Sequence, residues 1–121
     1  MKFLVVDDSS TMRRIVINTL TKAGYTEFAE AGNGSEAVDQ LNKHRVDCVI
    51  TDWNMPVMNG LDFVRALRAN ANTRAVPVLM VTTNAAKDDI LEALKAGVND
   101  YVIKPFTPEV IKAKVTAVTA K

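Results

Sequence analysis

The sequence has a single cysteine, Cys48, so no internal disulfide can form. Its neighbours Val49 and Ile50 point to a buried, reduced thiol with no chemistry of its own. Long hydrophobic runs are missing too: Val78-Leu79-Met80-Val81 has the length of a strand, far short of the ~20 apolar residues that span a bilayer. Neither sign of charge dominates. With 15 Lys and Arg against 14 Asp and Glu, the chain has no long-range field to gather nucleic acid or an anionic membrane. A secretory signal pattern is absent, because Asp7 and Asp8 cut off the apolar run Phe3 to Val6, and a cytoplasmic location is expected. Linkers, low-complexity tracts and internal repeats are also lacking. A chain of 121 residues buries one core but not two, so one domain over residues 1–121 is expected; the domain is also expected to be a monomer.

What the sequence does contain is a regular alternation of two periods. Short β-branched runs at Phe3 to Val6, Cys48 to Thr51, Val78 to Val81 and Tyr101 to Ile103 lack polar alternation and read as central parallel strands, covered on both faces. Glu27-Phe28-Ala29-Glu30-Ala31 does alternate, as an edge strand does. Between the runs the apolar residues take helical spacing. The stripes are Met12, Ile15, Val16 and Leu20; Ala37, Val38 and Leu41; Leu61, Val64 and Leu67; Ile90, Leu91 and Leu94; and Val110, Ile111, Val115 and Val118. Thr107, Pro108 and Glu109 mark the start of the last helix, and Gly24 and Gly97 suit helix C-terminal caps. Five strands alternating with five helices predict an α/β fold, a flavodoxin-like (βα)5 doubly wound parallel sheet with strand order 2-1-3-4-5. Function in such a sheet belongs in the loops beyond the carboxyl ends of the strands, at the switch point between the first and third.

Asp7 and Asp8 follow the first strand, Asp52 the third, Thr82 and Thr83 the fourth and Lys104 the fifth, so all are expected on one rim. Alone, each motif has an ordinary explanation. Asp8-Ser9-Ser10 is also a turn with a helix cap, Lys104-Pro105 a lysine before a turn, and Thr82-Thr83 a strand end. Their conjunction on one rim requires more. Carboxylates ~4 Å apart repel by about 4 kcal/mol per pair at an effective dielectric of ~20. Lys104 offsets one charge of the three, and a divalent cation would neutralise the rest. Oxygen-only ligands with no histidine or cysteine at the rim favour Mg2+ over zinc. Hydroxyl and ammonium groups facing carboxylates also suit an incoming phosphoryl group, whose transfer depends on charge neutralisation and positioning. Asp52, alone at the end of a central strand, is the expected acceptor, and the Asp7–Asp8 pair the expected metal holder.

These residues lie in Val5-Val6-Asp7-Asp8-Ser9-Ser10-Thr11-Met12-Arg13-Arg14, Thr51-Asp52-Trp53-Asn54-Met55-Pro56-Val57-Met58-Asn59-Gly60, Val81-Thr82-Thr83 and Tyr101-Val102-Ile103-Lys104-Pro105-Phe106. With these motifs the chain resembles, over essentially its full length, the receiver domain of two-component response regulators, and within that family its single-domain chemotaxis members. The resemblance implies a phosphoacceptor signalling protein that catalyses its own phosphorylation and dephosphorylation. Asp52 would take the group from the phosphohistidine of a sensor histidine kinase such as CheA. Mg2+ would be bound by Asp8, Asp52 and the main-chain carbonyl of Asn54, with Asp7 helping through water. Thr82 and Lys104 would contact the phosphoryl oxygens, and Tyr101 would swing inward as Thr82 moves. A cis peptide before Pro105 is implied as well. The family's output face maps onto Lys87, Ile90, Leu94, Tyr101, Ile103 and Lys114, and the flagellar motor switch protein FliM would be the docking target, with a phosphatase as a further partner. Thr83 and Asn84 depart from the family's usual residues and bear on the lifetime of the phosphorylated state.

The alternative of a haloacid-dehalogenase-type aspartyl-phosphate hydrolase shares Asp, Lys, Thr and Mg2+. It needs an Asp-x-Asp run after the first strand, where this chain has Asp7-Asp8-Ser9. A flavin mononucleotide carrier would need a hydroxyl- and glycine-rich cradle there, and two carboxylates would repel the phosphate. An EF-hand starting at Asp52 fails because Val57 and Phe63 stand where Gly and Glu are required.

Overall fold

Strands and helices alternate strictly along the chain in the computed structural model, which describes residues 1–120; Lys121, the last residue of the expected domain, lies outside the described residues. The elements are β1 (Lys2–Val6), α1 (Ser10–Lys22), β2 (Glu27–Ala31), α2 (Gly34–Lys43), β3 (Cys48–Thr51), α3 (Gly60–Ala69), β4 (Val78–Thr82), α4 (Lys87–Ala96), β5 (Asp100–Ile103) and α5 (Pro108–Thr119). All strand pairs are parallel and the order is β2-β1-β3-β4-β5, the expected doubly wound sheet.

The period of two in the strands builds two cores, one on each face of the sheet. Leu4, Val6, Val49, Val78 and Met80 point to the side of α2, α3 and α4, where Phe63, Val64 and Leu67 meet them. Phe3, Val5, Cys48, Ile50, Leu79 and Val81 point to the other side, against Val16 and Leu20 of α1 and Ile111 and Val115 of α5. The Cys48 thiol is fully buried, and burial, helped by the charge of Asp47, pushes its pKa up to about 12. It is therefore a protonated core group at neutral pH.

Four helices begin with a side-chain cap directly after a strand or loop at the carboxyl edge: Ser9 accepts from the Met12 N–H, Asn33 from Glu36, Asn59 from Asp62 and Thr107 from Val110. Each such cap contributes about 1 kcal/mol and fixes the loop it closes. The helix α4 has no side-chain cap and carries Asp88 and Asp89 in its first turn instead, at the positive end of its dipole. Gly97 ends α4 at φ +111, as expected, and Gly24 stands at φ +104 one residue past the α1 cap Ala23.

Three expectations are corrected. β5 reads as a central strand in the sequence but is an edge strand paired only with β4. Its Tyr101 is half-buried and its Ile103 exposed, because among the described residues no strand lies beyond it to hold a flanking helix over both faces. The α4 stripe is not a core stripe either. Leu91 and Leu94 are exposed and the residue this helix buries is Ala93, since α4 sits at the end of its layer, over the last two strands. Ile15 and Val110, also counted in stripes, are exposed. No helix among the described residues is long and apolar enough to cross a membrane.

Candidate functional site

The parallel ladders continue one residue past the strand ends, and this brings the acidic loops level. Asp7 N–H donates to Ala31 O at 3.1 Å and Asp52 N–H to Val6 O at 2.9 Å, so both aspartates are held by neighbouring backbones. The loops after β1 and β3 lie side by side because these two strands are neighbours in the sheet while the connection after β1 runs out to β2 and the one after β3 runs the opposite way to β4. Asp7 is buried, Asp52 is 9% exposed and Asp8 faces solvent. One carboxylate oxygen from each of Asp7, Asp8 and Asp52 can be chosen so that all lie within 4.8 Å of one another.

Lys104, just past β5, reaches across to this cluster. Its main-chain N–H donates to Thr82 O at 2.9 Å, and its Nζ donates to Asp7 Oδ2 at 2.9 Å and Asp52 Oδ2 at 3.1 Å. Burial alone would lower the pKa of this ammonium. The hydrogen bond from Lys104 to Asp7 and the charges of Asp52 and Asp7 outweigh burial, and the net shift is upward. The Lys104–Pro105 peptide is cis, as the resemblance implied. Three carboxylates and one ammonium leave two negative charges at a rim made only of oxygen donors. That donor set fits a hard divalent cation of the Mg2+ kind.

The remaining expected residues surround the cluster without all touching it. Thr82 is fully buried at the end of β4, and its Oγ1 accepts from the Asn84 N–H at 3.3 Å. Tyr101 Oη donates to Asn84 O at 2.6 Å; burial, then the charges of Asp89 and Asp52, push its pKa up to about 12. Asn54, exposed two residues past Asp52, donates from Nδ2 to Asn84 Oδ1 at 2.8 Å. Asn84 thus meets Thr82, Tyr101 and Asn54 through three different atoms, a convergence the sequence indicated only as a departure from family custom. Thr83 is exposed. Of the expected output face, Lys87, Leu94 and Ile103 are exposed and Ile90 is half-buried, with Lys87, Ile90 and Leu94 on one stripe of α4. Lys114 of α5 is pinned to Asp100 of β5 by bonds of 3.0 and 3.1 Å.

Two residues of this site were missed by sequence reasoning. At Gly60 an added Cβ would stand 1.9 Å from Asp52 O, while Gly60 N–H donates to Trp53 O at 2.7 Å. The acidic loop therefore closes directly onto the first residue of α3. The pair Asn59-Gly60, a cap followed by the one residue without a Cβ, was the available signal. Arg13 of α1 donates from Nη1 to Asp7 O, and nothing in its sequence context announced that contact.

The sequence matches the response regulator receiver domain family over residues 3–116. The chain belongs to that family. Its similarity to curated members extends over nearly the whole receiver. It is 51% identical over 119 residues to chemotaxis protein CheY1 of Helicobacter pylori, covering 98% of this chain and 96% of the relative. It is 56% identical over 115 residues to the chemotaxis protein CheY homolog of Campylobacter jejuni, covering 94% and 88%. Among solved structures, the chemotaxis response regulator CheY4 of Vibrio cholerae matches with a TM-score of 0.90 at 39% identity, covering 97% of both chains. The receiver domain of the sensor histidine kinase PA1611 of Pseudomonas aeruginosa, solved with a magnesium ion coordinated in its active site cleft, matches with a TM-score of 0.89 at 29% identity over 99% and 98% of the two chains. The receiver described here is thus of the chemotaxis type, a two-component signalling domain with an acidic pocket.

Proposed function

We propose that this receiver is a Mg2+-dependent phosphoacceptor switch in which Asp52 takes a phosphoryl group from the phosphohistidine of a sensor histidine kinase of the CheA type. The observation that carries the reading is the Lys104 ammonium lodged between Asp7 and Asp52, beside a third carboxylate on Asp8. In the transfer a carboxylate oxygen of Asp52 forms the new bond to phosphorus while the P–N bond to the kinase imidazole breaks, and the imidazole keeps the electron pair. Asp8, Asp52 and the Asn54 carbonyl would hold Mg2+, with Asp7 acting through water; the ion supplies neutralisation of the charge gathered on the equatorial oxygens. Lys104 is already placed to meet one of those oxygens, and in doing so exchanges its contact with the Asp52 carboxylate for the phosphoryl group. Thr82 meets another when its hydroxyl leaves the Asn84 N–H. Tyr101 then follows, because both residues share Asn84 as partner.

The phosphorylated domain docks a flagellar motor switch protein of the FliM type through Lys87, Ile90, Leu94, Tyr101, Ile103 and Lys114 in the cytoplasm, as a monomer, and a phosphatase can reset it. The chemotaxis names of the curated relatives support that target. Acetyl phosphate with Mg2+ is expected to add one phosphoryl group by intact mass, none without Mg2+ and none to Asp52→Asn. Phosphoryl transfer that survives Asp52→Asn would overturn the assignment. In the same samples, a FliM N-terminal peptide is expected to bind more tightly once the mass shift appears; equal affinity before and after would remove the motor target while leaving the switch.

A further inference from the structure

Asp7 has four polar groups, and each is held. Its N–H donates to Ala31 O at 3.1 Å, its Oδ1 accepts from the Ser9 N–H at 2.9 Å, its Oδ2 accepts from Lys104 Nζ at 2.9 Å, and its main-chain carbonyl accepts from Arg13 Nη1. The carbonyl is one end of the Asp7–Asp8 peptide. Because that peptide is planar, the direction of the carbonyl fixes the direction of the Asp8 N–H and hence where Asp8 departs from the chain. Asp8 is exposed, with no core around it to choose its orientation, yet its carboxylate has to meet those of Asp7 and Asp52.

Arg13 is itself anchored from a second direction. Its Nε donates to Glu30 Oε1 at 3.0 Å, on the edge strand β2, and its side chain is only 20% exposed. The guanidinium therefore spans from β2 to the loop after β1 with two different nitrogens held in one plane, Nε on Glu30 and Nη1 on the Asp7 carbonyl. Local helix energetics do not account for a cation at this place. The first turn of α1 contains no acidic residue, and a positive charge near a helix N-terminus opposes the dipole.

We propose that Arg13, locked by Glu30, is a positioning residue for divalent-cation binding: it holds the Asp7–Asp8 peptide so that the Asp8 carboxylate joins the other two. The inference rests on the reading of the acidic cluster as a Mg2+ site. Two effects of Arg13 have opposite signs, which makes the proposal separable from simple electrostatics. A nearby positive charge repels Mg2+, so if charge were its only influence, Arg13→Ala would tighten Mg2+ binding. Positioning predicts weakening, by about tenfold, as for other residues that orient metal ligands.

The test is a Mg2+ titration of the full chain followed by fluorescence of Trp53, whose main-chain N–H donates to Asp52 Oδ1 at 2.6 Å, and repeated with Mn2+ by paramagnetic resonance. Arg13→Lys and Arg13→Ala are both expected to weaken binding, the lysine failing to rescue because its single nitrogen does not reproduce the two fixed nitrogens that Arg13 places on Glu30 and on the Asp7 carbonyl. Glu30→Ala is expected to weaken it less, and to add nothing once Arg13 is alanine. The weakening should persist in about 1 M KCl, where the Debye length is about 3 Å and long-range fields are screened. Unchanged or tighter binding in Arg13→Ala, or full rescue by lysine, would overturn the proposal. Should the Arg13 variants fail to fold, by their melting curves without Mg2+, Glu30→Ala in high salt decides it alone: unchanged affinity overturns the lock. Absence of any metal response in the unaltered protein is a different result, and removes the Mg2+ reading on which the inference stands.

Discussion

Replacing Gly60 by alanine is expected to cost about 3 kcal/mol of stability, the upper range for forcing extra atoms into packed structure. The Cβ would stand 1.9 Å from Asp52 O and 2.9 Å from its carbonyl carbon, and the obstacle is backbone, which cannot rotate aside as a side chain can. Relief would require the Asp52–Trp53 peptide to move away from α3, straining the next peptide, whose Trp53 O accepts from Gly60 N–H at 2.7 Å. The same movement would displace Asp52 from Lys104, so Mg2+ affinity should fall together with stability. Gly24→Ala is the informative control. Gly24 adopts φ +104 with nothing within 4 Å of an added Cβ, so its cost is confined to backbone strain, about 1–2 kcal/mol. Urea unfolding curves of both variants decide the matter, and a Gly60→Ala loss no larger than that of Gly24→Ala would refute the contact argument.

Lys104→Met is the second large change expected. Removing the ammonium leaves Asp7 and Asp52, whose side chains are 7% and 11% exposed, without their shared counter-charge. Breaking a buried ion pair by deleting one partner costs about 3 kcal/mol or more, because the charges left behind remain desolvated. Added Mg2+ should recover part of that loss, since an ion that binds only the folded state stabilises it in proportion to the logarithm of its saturation. Thermal unfolding midpoints with and without Mg2+ measure both effects; a midpoint that is unchanged without Mg2+ would show that Lys104 does not neutralise this pair. The pH dependence has a definite sign. The folded-state pKa of Lys104 is raised, so its stabilising contribution is complete below the ordinary lysine value of about 10.4 and is lost as pH rises through the higher folded value. That alkaline loss should be missing in Lys104→Met.

Much of this architecture was legible along the chain because its causes are local or periodic. The alternation of strand and helix periods fixed the element order, and the doubly wound sheet follows from short right-handed crossovers. Thr107 and Pro108 at the start of α5 and Gly97 at the end of α4 were recognisable because capping depends on a few consecutive residues. The rim of Asp7, Asp8, Asp52 and Lys104 was also foreseeable, because in a parallel sheet the residue after each strand must emerge at the same edge.

The sequence by itself therefore determined the fold, the family and the acidic rim, through patterns that need no knowledge of distant neighbours. Tertiary structure alone decided the contacts between segments remote in sequence. The clasp of Arg13 and Glu30 on Asp7, the meeting of Asn54, Thr82 and Tyr101 at Asn84, and the closure of Gly60 on Asp52 depend on distances that no period encodes. The exposure of β5 and α4 belongs with them. An apolar residue's burial depends on what covers it, and at the end of the sheet no further strand among the described residues extends the cover over Ile103 or Leu94.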